Sequence, residues 1–175
     1  KIINVFGEKG CGKTHLSNIF DKKNKAKKIK EKELSFDFIK TLKIYQNLIL
    51  DNYDNYLNER LFFSFLNFVD QDNKFLIINS RSPLINYQFN LPDLNSRIKN
   101  ILIAEIKYPD DEMIFALLLK NFSDRQIKIE KKLIDYVVKR IDRSYSKISE
   151  FIYKVDEVSL KKKKRIDLKI IKELI

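Results

Sequence analysis

Glycine is nearly missing from this chain of 175 residues: there are three, Gly7, Gly10 and Gly12, all within six positions. A sequence that avoids glycine everywhere else concentrates its freest backbone in one turn. The three prolines, Pro83, Pro92 and Pro109, fall in one stretch. A single cysteine, Cys11, excludes a disulfide framework. No apolar run approaches the roughly 18–20 residues of a membrane span. The longest, Met-Ile-Phe-Ala-Leu-Leu-Leu at 113–119, has the length of a core helix. No signal peptide is visible, so a reducing, cytoplasmic setting without a membrane partner is expected. The chain opens on Lys1 rather than Met, directly before an apolar segment, and residues upstream are expected.

Hydrophobic residues make up 44% and charged residues 34%, a globular balance. The length suits one domain plus a small lobe and buries enough surface to need no staples. Lysine and arginine number 35 against 24 acidic residues, a net charge of +11. Two readings stand for that excess. One is a polyanionic partner such as DNA. The other is genome composition, since the chain is rich in Lys, Asn, Ile and Phe and has no Trp.

Continuous apolar runs of buried-strand length occupy Ile2–Phe6, 47–51 and 75–79. A short strand around Lys27–Lys30 and a last one over 101–106 complete five. Helical spacing covers 13–20, 33–42, the phenylalanine-rich 56–69 and 94–99. This alternation predicts an α/β fold whose parallel sheet is covered on both faces. After Pro109 no strand is visible. Segments 111–121, 130–141, 145–160 and 167–174 have the apolar stripe of amphipathic helices. The predicted division is a βα base over 1–107 and an all-helical lid over 108–175. The basic run 161–165 reads as a solvated turn between the last two helices.

The glycines belong to Gly-Glu-Lys-Gly-Cys-Gly-Lys-Thr at 7–14, which fits G-x-x-x-x-G-K-[ST] between a strand and a helix. Such a loop lets backbone N–H groups close around phosphate, and the helix N-terminus adds its positive end. Lys13 is expected to reach the β/γ-phosphates and the Thr14 hydroxyl to bind Mg²⁺. Cys11 fills a variable position of the loop. Asp51, at the end of the run Leu-Ile-Leu-Asp, is the expected partner for Mg²⁺. The next residue is Asn52, whose amide cannot take a proton from water, so hydrolysis in cis is expected to be weak or absent. Asp54 and Asp70 are the acidic substitutes within reach of sequence reasoning. Asn79 ends the third apolar run, where a polar side chain would lie beside the γ-phosphate or simply cap the strand.

Gly-Lys-Thr-His-Leu at 12–16, Leu-Pro-Asp-Leu-Asn-Ser-Arg at 91–97 and Pro-Asp-Asp at 109–111 resemble the AAA+ ATPase module of the DnaA-related replication proteins. The helical tail from Lys-Arg-Ile-Asp-Arg at 139–143 onward is similar to the Hda branch, the regulatory inactivators of the initiator. Asp51-Asn52 and a chain that ends after the lid, without a helix-turn-helix, favour that branch too. The resemblance implies an AAA+ P-loop NTPase base with a parallel five-stranded sheet between helices, followed by a small all-helical lid. It implies ADP or ATP with Mg²⁺ as cofactors. The implied nucleotide-binding set is Gly7, Gly10, Cys11, Gly12, Lys13, Thr14, His15, Asn79 and Arg143, with Thr14 and Asp51 on the metal. His15 stands where the family also has His and reads first as a packing or helix-face residue. Arg97 matches the arginine finger aimed at a neighbour's nucleotide, and Arg143 matches the sensor 2 arginine. Arg81 stands where the family has an acidic sensor, a departure.

The leading function is then negative regulation of replication initiation, by promoting hydrolysis of ATP bound to a DnaA-type initiator in trans. The alternative is a helicase-loader-like ATPase that binds single-stranded DNA through basic charge and aromatics such as Tyr53 and Tyr56. Sliding-clamp binding is expected only through residues outside this chain, and self-association stays open.

Overall fold

Four short apolar runs and the lysine-rich segment Lys27–Lys30 pair into one parallel sheet in the computed structural model, which describes residues 1–162 and 166–175. The strands are β1 (Ile2–Phe6), β2 (Lys27–Lys30), β3 (Asn47–Tyr53), β4 (Phe75–Ser80) and β5 (Leu102–Glu105), in the order β2-β3-β4-β1-β5. Helices α1 (Lys13–Asn24), α2 (Phe36–Thr41), α3 (Glu59–Gln71) and α4 (Pro92–Lys99) connect them. These elements lie in one compact unit, Lys1–Glu8 with Gly12–Ile106.

Alternation along the strands sends side chains to two faces. Leu48 and Leu50 of β3 join Leu76 and Ile78 of β4 in the main core, with Phe62, Phe65 and Leu66 of α3 and Leu94 and Ile98 of α4. Ile49, Ile77 and Val5 face the other way into a smaller cluster with Phe20 of α1. Coverage of both faces stops short of the last strand: all four residues of β5 are exposed, although an apolar strand was the expectation there.

Several boundaries differ from the sequence expectation, each for a local reason. The helix expected over 56–69 starts at Glu59, because Asn58 caps it by accepting from the N–H groups of Arg60 and Leu61. The helix expected over 33–42 is broken. Glu33 turns back to accept from the Lys30 N–H, and Ser35 caps a new start by accepting from Phe38. Strand β3 passes Asp51 and reaches Tyr53, with a register shift against β4 between Leu50 and Tyr53. That irregularity contains Asp51 and Asn52, the latter with φ 55°.

The second unit, Lys9–Cys11 with Lys107–Ile175, is helical. It contains α5 (Asp111–Asp124), α6 (Lys131–Val138), α7 (Tyr145–Lys162) and α8 (Leu168–Leu174). Asp110 and Asp167 cap α5 and α8, accepting from Met113 and Ile170 respectively. Their apolar stripes meet around Ile114, Leu118, Phe122, Val137, Phe151 and Ile171. No helix among the described residues is long and apolar enough to cross a membrane. Of the basic run 161–165, Lys161 and Lys162 end α7, and the remainder of the expected turn, 163–165, lies outside the described residues.

Candidate nucleotide site

The loop between β1 and α1 is shaped by its glycines. Gly10 and Gly12 sit at φ 89° and 99°, where a side chain is strained. Gly12 is also the N-cap of α1, and no side chain caps this helix. The N-terminus of α1, with the positive end of its dipole, therefore opens onto the loop, as an anion site requires.

Lys13 is buried. Its ammonium donates to the carbonyl oxygens of Gly7 at 2.7 Å and Glu8 at 2.8 Å, folding the side chain over its own loop. Thr14, one residue on, places Oγ1 3.2 Å from Asp51 Oδ2. Hydroxyl and carboxylate thus converge between α1 and β3, the oxygen pair that suits a hard cation. Asp51 reaches this point from the irregular turn of β3, where a bulge re-aims a side chain.

Asn79 closes the cluster. Fully buried, it donates from Nδ2 to Asp51 Oδ1 at 2.8 Å and to Ser17 Oγ at 2.7 Å. Its Oδ1 is buried without a hydrogen-bond partner. An orphan buried acceptor costs about 1–3 kcal/mol and is a place for a donor that arrives with a ligand or water. The donor set, the oxygen pair and this acceptor fit a phosphate group with Mg²⁺.

Three residues that sequence reasoning passed over hold the cluster in place. Asn4, buried in the middle of β1, donates to Ile78 O and Ser80 Oγ and accepts from the Leu84 N–H. It locks the turn that follows Asn79. Ser17 anchors Asn79 from α1, one turn beyond Lys13. Glu31, at the end of β2, accepts from the backbone N–H groups of Asp54, Tyr56 and Leu57, fixing the loop beyond Asp51. An asparagine inside the apolar run Ile-Ile-Asn-Val-Phe was the one visible signal among the three.

The remaining candidates are distributed elsewhere. His15 lies on an exposed face of α1. Cys11 is buried, as a small filler would be. Asp54 and Asp70, the acidic substitutes, are engaged: Asp54 lies 3.8 Å from Arg81, and Asp70 3.1 Å from Arg97. Arg97 is on α4, with its guanidinium over the Phe63 ring. Arg143, in the helical unit, pairs with Asp111 at 2.8 Å. Tyr53, offered as a base-stacking surface, is fully buried and stacks on Phe62 with ring centroids 4.7 Å apart. Burial, with Glu31 and then Tyr87 and Glu59 nearby, pushes its hydroxyl far above the usual range. Of the two tyrosines only Tyr56 is exposed.

Comparison with known proteins extends the picture. The family described as "Hda, lid domain" matches residues 110–175. The chain is 26% identical over 197 aligned residues to the chromosomal replication initiator protein DnaA of Flavobacterium psychrophilum, covering 98% of this chain and 41% of that protein. A DnaA from Caldanaerobacter subterraneus is 24% identical, with 98% and 44% covered. The chain therefore spans about two fifths of the length of the curated relatives it matches. Among solved structures, domain III of Thermotoga maritima DnaA superimposes with a TM-score of 0.80 at 18% identity, over 100% of this chain and 83% of that one. AMPPCP-bound DnaA from Aquifex aeolicus gives 0.73 at 20% identity, over 98% and 59%. The RuvB Holliday junction branch migration motor of T. maritima gives 0.74 at 19%, over 98% and 60%, so the fold is that of AAA+ proteins.

Proposed function

We infer from its membership of the DnaA-related AAA+ family, close to Hda, that this chain is a nucleotide-binding regulator of chromosomal replication initiation. It acts in the cytoplasm on a DnaA-type initiator. The observation that carries the reading is the Hda-type lid match on a chain whose base keeps Lys13, Thr14 and Asp51 together.

ADP or ATP occupies the loop at 7–14. The Lys13 ammonium exchanges the Gly7 and Glu8 carbonyls for phosphate oxygens, and the N–H groups at the start of α1 take the rest. Thr14 and Asp51 hold Mg²⁺, which when bound neutralises phosphate charge. AMPPCP in a related DnaA supports the assignment. Hydrolysis in cis is weak, because Asn52 offers no base and Asp54 is paired with Arg81, while Asp70 lies with Arg97 by the start of β1 rather than beside the loop. Arg97 works instead on the ATP of the initiator, where a guanidinium beside the γ-phosphate is worth about 10³–10⁵ in rate.

Titration with fluorescent ADP and ATP, beside Lys13→Ala, is the first test. Tight binding that the variant loses is expected, and equal binding by both proteins would remove the site. Stimulated hydrolysis of initiator-bound ATP, with Arg97→Ala beside the parent chain, tests the trans step. A steep salt dependence of single-stranded DNA binding, without stimulation of the initiator, would favour the loader-like alternative.

A further inference from the structure

We propose that α3 is a two-ended clamp on α4, with Glu59 and Asp70 as positioning residues for Arg97; the inference rests on the trans role given to Arg97 above. Helix α4 has eight residues, and its N-cap, Leu91, offers no side-chain acceptor. Glu59 of α3 instead holds the two residues just ahead of that helix. Glu59 Oε1 takes the Asn90 N–H at 2.9 Å and the Asn90 side-chain amide at 3.2 Å, while Oε2 takes the Leu91 N–H at 2.8 Å. Both oxygens of one carboxylate thus hold the two residues that lead into α4. The Asn90 backbone hydrogen bond, the largest influence, keeps that carboxyl below its usual range.

At the other end of α3, Asp70 Oδ2 accepts from Arg97 Nη1 at 3.1 Å. Phe63 lies between, with the guanidinium 5.9 Å from its ring centroid. Positions 59, 63 and 70 are spaced by four and seven, which puts them on one stripe of a helix. One face of α3 therefore presents carboxylate, ring and carboxylate: Glu59 holds the residues leading into α4, and Phe63 and Asp70 both meet the Arg97 guanidinium near its end.

The arrangement does more than join two helices. A free arginine side chain carries about 2 kcal/mol of rotamer entropy, and a misplacement of about 1 Å at a reacting group can cost about 10²-fold. Asp70 engages one of the five N–H donors of Arg97 and leaves the others for an anion. The Asp70 side chain is 66% exposed, so the pair adds little to folding. Its contribution belongs in the rate.

The test uses the full chain and its Glu59→Gln, Asp70→Asn, Asp70→Glu and Arg97→Ala variants. Stimulated hydrolysis of initiator-bound ATP is resolved into a maximal rate and a half-saturating concentration. Amide hydrogen exchange is followed at Asn90 and Leu91. Glu59→Gln is expected to speed exchange at both amides and lower the maximal rate about tenfold. Asp70→Asn is expected to lower the maximal rate about two- to fivefold with half-saturation unchanged, and Asp70→Glu to restore it. Unchanged exchange in Glu59→Gln overturns the clamp. A faster rate in Asp70→Asn makes Asp70 a restraint, and a shift confined to half-saturation makes it a docking contact; either overturns positioning. Full stimulation by Arg97→Ala sinks the trans reading instead, and the exchange data then decide the clamp alone.

Discussion

Glu31→Gln probes the loop beyond Asp51 with almost no change of shape. The Glu31 carboxylate is buried, and a carboxylate only accepts. Oε2 takes the Asp54 N–H at 2.8 Å, and Oε1 takes those of Tyr56 and Leu57. Glutamine has one oxygen and one NH₂ in the same positions. If its oxygen keeps Tyr56 and Leu57, its nitrogen meets the Asp54 N–H, donor against donor. One N–H left without an acceptor costs about 1–3 kcal/mol, and two bonds that lose charge assistance cost about 1 kcal/mol each. Water reaching the half-open Asp54 side offsets part, which leaves about 2–4 kcal/mol. Urea unfolding, read by circular dichroism and tyrosine fluorescence in this Trp-free chain, measures it. The two compact units are fitted as separate transitions. In a thermal melt, at about 4–8 °C per kcal/mol for a unit the size of the base, the midpoint falls by about 8–32 °C. A loss under about 0.5 kcal/mol at unchanged slope would show that Glu31 does not hold the loop.

Lys74 is buried, donates to the carbonyls of Lys43 and Tyr45 at 2.9 Å each, and lies 3.6 Å from Asp72. Lys74→Met keeps the packing over Phe68 but strands both carbonyls, and a loss of about 2–4 kcal/mol is expected in chemical denaturation. Gly12→Ala meets no atom within 4 Å, so only its φ of 99° resists. A weaker affinity for ADP with an unchanged circular dichroism spectrum is the expected result. The Lys154 ammonium, then that of Lys147, hydrogen-bonds Glu150 and holds its carboxyl down to about 2 from 4.5. A depressed carboxyl contributes stability that is present above pH 4.5 and lost as pH falls toward 2. Thermal melts of Glu150→Gln against the parent chain should show less acid sensitivity across that window.

The base was readable where local and tertiary preferences agree. Ile2–Phe6 and Lys27–Lys30 form strands over the expected residues, and the glycine turn lies between strand and helix. Reading failed where a side chain far away in sequence sets a boundary. Glu31 pins a loop more than twenty residues downstream, so 56–58 stay out of the helix that their aromatic spacing suggested. Periodicity sees apolar stripes, whereas Asn58 ends the loop by a cap. Within the candidate site, Lys13, Thr14 and Asp51 announce themselves by motif and strand end. Ser17 does not, because what distinguishes it is a partner on β4, and Asn4 shows only as a polar residue in an apolar run, with nothing to say that it reaches Ser80. Tyr53 misled for the converse reason: composition counts an aromatic ring without saying that Phe62 covers it.

The strand order has a consequence for how the chain is made. β1 is synthesised first, yet Asn4 must wait for Ile78 on one side and Ile103 on the other. Such distant pairings form slowly, since loop closure precedes the contacts that reward it. At about 5–20 residues per second, the ribosome leaves β1 unpartnered for several seconds. Throughout that interval Ile-Ile-Asn-Val-Phe is an apolar segment open to wrong partners, and Asn4 interrupts it as a gatekeeper before it becomes a bracket. The phosphate loop hangs from the same strand, so a nascent chain carries the whole motif before it can bind anything.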